Sequence, residues 1–100
     1  MQDRNTVLIV DDEEIIKLTL KDVLKKEYTV LCASNGQEAL DIISKNNDLF
    51  GVLLDLNMPN VNGFAVLDYF RQNSLFSKIP VAIITGDDSK ETIERAFTYT

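Results

Sequence analysis

VLLDLNMPNVNG, residues 52–63, is a short apolar run that stops on a carboxylate, Asp55, and then breaks into Asn, Met, Pro and Asn-Gly. With Phe50 ahead of it, the run offers four apolar positions beside Gly51, enough for a buried strand over residues 50–54. Pro59 and Asn62-Gly63 are turn chemistry. A charge at the end of a buried strand can simply start an Asx turn, but that explains Asp55 alone. Whether it marks a turn or a site depends on what the fold sets beside that strand end.

Outward from this segment, three more runs have the same character: Thr6–Val10, residues 28–33 and residues 81–85. All are rich in Val, Ile and Leu, and continuous apolar runs of this length suit parallel strands covered on both faces. Segments of helical period separate them. Over residues 13–26, the stripe Ile16, Thr19, Leu20, Val23, Leu24 matches the i, i+3, i+4, i+7, i+8 template at four of five places. A second helix is expected from Asn35, with Glu38 completing a capping box, and it carries Ala39, Leu40, Ile42 and Ile43. The third runs over residues 63–73 with Val66, Leu67 and Phe70 inward. The fourth opens at Asp88 or Ser89 and carries Ile93, Ala96 and Phe97. The β-α-β-α-β-α-β-α order predicts an open parallel sheet with right-handed crossovers and helices on both faces.

Composition narrows the class. One hundred residues suit a single domain, and 45% hydrophobic with 26% charged residues is ordinary for a folded soluble chain. A net charge of −6 argues against direct contact with nucleic acid or an anionic membrane. The single cysteine, Cys32, has no internal disulfide partner and, lying in an apolar run, is expected in the core. No run approaches the ~20 apolar residues of a membrane span, and no leader pattern opens the chain. A cytoplasmic domain is expected.

In an open α/β sheet the site lies beyond the carboxyl ends of the strands. Strand one ends in Asp11-Asp12, strand three in Asp55 and strand four in Thr85-Gly86-Asp87, whereas Ser34-Asn35-Gly36 after strand two is helix-capping chemistry. Each piece alone is ordinary: Asp caps helices and complements their dipoles, and Thr is a common strand residue. The convergence of three carboxylates and a hydroxyl on one edge is not. Two carboxylates about 4 Å apart repel by ~4 kcal/mol at an effective dielectric near 20, so such a gathering calls for a cation. Oxygen ligands without histidine point to Mg²⁺. Asp55 is then a candidate nucleophile that could accept a phosphoryl group, with the Thr85 hydroxyl in reach of a phosphoryl oxygen.

Asp11-Asp12 after the first strand, Asp55 with Met58-Pro59 and Gly63 behind it, and Thr85-Gly86 ending the fourth strand resemble the receiver domain of two-component response regulators. The resemblance covers the whole chain. It implies a flavodoxin-like sheet, here of four βα units in the order 2-1-3-4. It also implies phosphotransfer to Asp55 from a sensor histidine kinase or phosphotransfer protein, and a downstream effector domain or protein. Such a domain is a phosphoacceptor rather than an enzyme. By the same resemblance Asp12 contacts Mg²⁺ directly and Asp11 mostly through water. Asp55 and the backbone carbonyl of Asn57 complete the ligands. Thr85 is the switch hydroxyl, small Gly86 leaves room for it, and Asn57 and Asp87 influence how long the acyl phosphate survives.

Two departures stand out. Asn62 replaces the family's usual Asp, a small change in a turn. The family's lysine at the end of a fifth strand has no counterpart, because only 15 residues follow Thr85. Lys90, the one lysine after Thr85, falls in a first helical turn. The domain is therefore expected to be C-terminally incomplete, lacking the fifth strand and helix. An uncharged edge at residues 81–85 would then favour self-association. Two alternatives stay open: a receiver of the same fold that binds without being phosphorylated, and a haloacid-dehalogenase-type phosphatase. The second needs an Asp where Asn57 stands.

Overall fold

At the centre of the sheet lies the most apolar run of the chain. The computed structural model describes residues 5–46, 48–56 and 63–84. Within them β1 (Thr6–Val10), β2 (Thr29–Ala33), β3 (Gly51–Leu54) and β4 (Val81–Ile83) form one sheet in the order β2-β1-β3-β4. Every pairing is parallel, with Leu8 level with both Leu31 and Val52, and Leu54 level with Ile83. This is the predicted order. A strand flanked on both sides and covered on both faces must be apolar throughout, and Leu8, Ile9 and Val10 are fully buried.

Helices α1 (Glu14–Leu24), α2 (Gly36–Lys45) and α3 (Gly63–Gln72) connect the strands. The main core joins Leu8, Val10, Val52 and Leu54 on one sheet face to Ala39 and Ile43 of α2 and to Val66, Leu67 and Phe70 of α3. Strand alternation turns Val7 and Ile9 to the other face, where Leu24 of α1 shares an apolar hollow with Val7. Helix α2 starts as its sequence predicts: the Asn35 side chain accepts from the Glu38 N–H at 2.9 Å. The Glu38 carboxylate returns to the Ser34 N–H at 2.7 Å, one residue earlier than a strict capping box.

Three expectations need correction. In α1 the inward arc passes through buried Lys17 and half-buried Ile16, Leu20 and Leu24, so Thr19 is exposed and Val23 is 66% exposed. The template located the apolar stripe but not the side of it on which the sheet lies. Cys32 is exposed rather than buried, because β2 is an outer strand of the sheet and has a neighbour on one side only. The strands begin or end slightly inside the predicted runs, with Tyr28 and Phe50 before β2 and β3. These two rings instead pack against each other at a 33° tilt, 5.3 Å between centroids. The fourth helix and Thr85 lie outside the described residues.

Candidate functional site

The carboxyl ends of β1 and β3 are adjacent because the two strands pair directly. The pairing runs one residue past the strands on both sides of β1: the Asp55 N–H donates to the Val10 carbonyl at 2.9 Å, and the Asp11 N–H to the Ala33 carbonyl at 3.0 Å. Ladder bonds thus hold the backbones of Asp11 and Asp55 in place. Their side chains are almost wholly buried, 1% and 7% exposed, whereas Asp12 is exposed.

One carboxylate oxygen from each of Asp11, Asp12 and Asp55 lies within 4.8 Å of the others. At that separation the buried Asp11–Asp55 pair repels by about 3–4 kcal/mol at an effective dielectric near 20. Burial pushes the Asp11 carboxyl above its ordinary range. The Glu13 N–H opposes that rise, and the charges of Asp55, Glu13 and Asp12 add to it. Crowding and desolvation together leave negative charge here that a cation would balance. The donor set, carboxylate oxygens alone, fits a hard divalent ion such as Mg²⁺.

Helix capping does not account for the acid pair. The N-cap of α1 is Glu13, which makes no side-chain capping bond. Asp11 reaches forward instead, its Oδ1 accepting the Glu13 N–H at 2.8 Å. That bond fixes the carboxylate's orientation and leaves its other oxygen for a ligand.

Gly63 brings α3 up to the same place. A Cβ at Gly63 would lie 2.4 Å from the Asp55 carbonyl oxygen and 2.6 Å from the Leu56 Cα. Only glycine lets the helix start against the backbone that carries Asp55. In the sequence Gly63 reads as turn chemistry at the start of the third helix, and nothing local signals this contact.

The predicted residues Asp11, Asp12 and Asp55 therefore meet. Asn57, Thr85, Gly86 and Asp87 lie outside the described residues, although the Ile84 N–H still bonds the Leu54 carbonyl at 2.9 Å, beside the site. Sequence reasoning missed Lys17, which is buried and donates from Nζ to Ser34 Oγ. Its position among apolar neighbours in α1 was the available signal. An apolar hollow of about 350 Å³, lined by Leu24, Tyr28, Phe50 and Pro80 among others, opens at the amino ends of the strands. It lies at the opposite end of the sheet from the carboxylates and has no part in their chemistry.

Comparison with known proteins gives a consistent result. The response regulator receiver domain profile matches residues 7–100. Among curated proteins, a chemotaxis protein CheY homolog of Campylobacter jejuni is 29% identical, over 87% of this chain and 68% of its own length. The transcriptional regulatory protein CpxR of Escherichia coli is 36% identical over 86% of this chain, which spans 35% of that protein. Among solved structures, the chemotaxis protein CheY4 of Vibrio cholerae superposes with a TM-score of 0.84 at 28% identity, covering 96% of this chain and 80% of that one.

Proposed function

The chain belongs to the response regulator receiver domain family of two-component systems, and on that premise we propose that it accepts a phosphoryl group on Asp55 from a histidine kinase or phosphotransfer protein. The observation that carries this is the buried Asp55 carboxylate at the end of β3, within 4.8 Å of the Asp11 and Asp12 oxygens. A carboxylate is a weak nucleophile, and it needs its charge balanced and its target oriented before it attacks phosphorus.

In the proposed step an Asp55 oxygen forms the O–P bond as the P–N bond to the donor imidazole breaks. The imidazole nitrogen leaves with the electron pair and takes up a proton from solvent. Asp11, Asp12 and Asp55, with the backbone carbonyl of Asn57, are the residues assigned to hold Mg²⁺. Bound there, the ion supplies charge neutralisation for the oxygens of the transferring group. The protein's own contribution is position. Ladder bonds at Asp11 and Asp55 keep both backbones still, and the Glu13 N–H aims the Asp11 carboxylate. Thr85 is assigned the hydroxyl that closes on the phosphoryl group, and Gly86 the space for it. The chain is consumed once per transfer, a phosphoacceptor rather than an enzyme. Its output passes to an effector domain or protein.

The test is intact mass after incubation with acetyl phosphate and Mg²⁺. Wild type is expected to gain one phosphoryl group and Asp55→Asn none, with both folded by circular dichroism. Labelling that persists in Asp55→Asn overturns the assignment. A wild type that is never labelled leaves a receiver that acts by binding alone.

A further inference from the structure

Lys17 is the one lysine buried among the described residues; its side chain is only 6% exposed. Burying an ammonium costs free energy unless its partners repay the lost hydration. The ion-pair partner, Glu14 Oε1 at 3.1 Å, sits on a side chain that is 75% exposed, and so contributes little. The other partner is the neutral hydroxyl of Ser34. A leucine in this place would cover the sheet at lower cost. Stability alone therefore does not explain the lysine, but its place in the bonding around Asp11 does.

Four hydrogen bonds and the step of chain from Ala33 to Ser34 close a ring there. The Asp11 N–H bonds the Ala33 carbonyl, at 3.0 Å. Ser34, next in the chain, accepts from Lys17 Nζ. The Lys17 N–H bonds the Glu13 carbonyl at 3.2 Å, and the Glu13 N–H bonds Asp11 Oδ1 at 2.8 Å. Ser34 is itself anchored through its N–H to Glu38 of α2. Among the described residues, the lysine is thus the one side-chain hydrogen-bonding strut between the first turn of α1 and the end of β2. Without it, the side-chain hydrogen bond left at the start of α1 is the one that the Asp11 carboxylate accepts from the Glu13 N–H, and that carboxylate is the group meant to serve the metal.

We propose that Lys17 is a positioning residue: by bracing the start of α1 against Ser34 it sets the Asp11-Asp12 carboxylates in place for a divalent cation. This deepens the Mg²⁺ reading above and rests on it. Loss of a partner that orients a metal ligand commonly weakens affinity by about 10- to 100-fold.

The test uses Lys17→Met, which keeps the buried aliphatic stem, and Ser34→Ala, which removes the acceptor and leaves the Ser34 N–H in place. Calorimetric Mg²⁺ titration is expected to show at least about tenfold weaker binding for Lys17→Met. Ser34→Ala should weaken binding in the same direction, and the double variant should be no weaker than Lys17→Met, since both remove one strut. In metal-free protein, solvent exchange of the Glu13 amide should quicken in both variants while the amides of residues 7–10 keep wild-type rates. Equal quickening across β1 makes Lys17 a purely structural residue and overturns the proposal. So does Mg²⁺ affinity within about twofold of wild type. If wild type itself binds no Mg²⁺, the metal reading fails, and the Glu13 exchange measured without metal still decides whether Lys17 braces this turn.

Discussion

Replacing Gly63 by alanine sets two physical effects against each other. Helix propensity favours the change by at most ~1 kcal/mol, because Gly is the poorest ordinary residue in a helix. Close packing opposes it. The added Cβ would sit 2.4 Å from the Asp55 carbonyl oxygen, and ordinary contact begins at 3.4 Å, so 3.4 − 2.4 = 1.0 Å of separation must be found. The obstructing atoms are backbone on both sides, so no rotamer change relieves the clash. Overpacking of this kind costs ~1–3 kcal/mol, and the lack of any flexible neighbour puts it at the upper end. Net of the propensity gain, about 2 kcal/mol is lost, which for a domain of this size lowers the melting temperature by roughly 8–16 °C. The movement falls on the backbone of Asp55, so the stabilisation by Mg²⁺ should shrink as well. Thermal melts of wild type and Gly63→Ala, each with and without millimolar Mg²⁺, measure both effects. An unchanged or raised melting temperature means propensity wins, and refutes the tight contact between α3 and the strand end.

Asp12→Asn should stabilise metal-free protein modestly, since the exposed carboxylate is screened, and should abolish the Mg²⁺ response. In wild type that response is worth ~2.7 kcal/mol at 100 times the dissociation constant, and an equal response in the variant would remove Asp12 from the ligands. Asp11 carries a pH signature of definite sign. Its folded carboxyl holds a proton above the ordinary value of 3.8, so without metal its contribution to stability is best below that value and falls as pH rises through the raised one. The stability of wild type relative to Asp11→Asn should therefore decline over that window and then level off; a gain with rising pH would refute the crowding. Cys32 is exposed on β2, so a maleimide should label the native chain nearly as fast as the denatured one, and protection in the native state would contradict that placement.

Residues close in sequence settled much of this protein before any tertiary contact. Apolar runs at Thr6–Val10 and residues 50–54, alternating with helical periods, require a parallel α/β sheet, because crossover helices are how such strands become covered on both faces. The α2 cap was equally legible, since Asn35 and Glu38 satisfy helix-end donors within a few residues of one another. Because sites of this fold class lie at the carboxyl ends of strands, Asp11, Asp12 and Asp55 could be picked out too. The contacts that no local pattern encodes came only with the folded chain. Which flank of the α1 stripe meets the sheet depends on how the helix rolls against β1 and β2, and that roll buries Lys17 and exposes Val23. Cys32 is exposed because pairing made β2 an outer strand. Gly63 reads as turn chemistry opening the third helix, and its close approach to the Asp55 carbonyl appears only once α3 is packed there. Periodicity and capping act over one or two turns of chain and are written locally. Helix roll and close approach arise from surfaces distant in sequence, so the folded chain alone determines them.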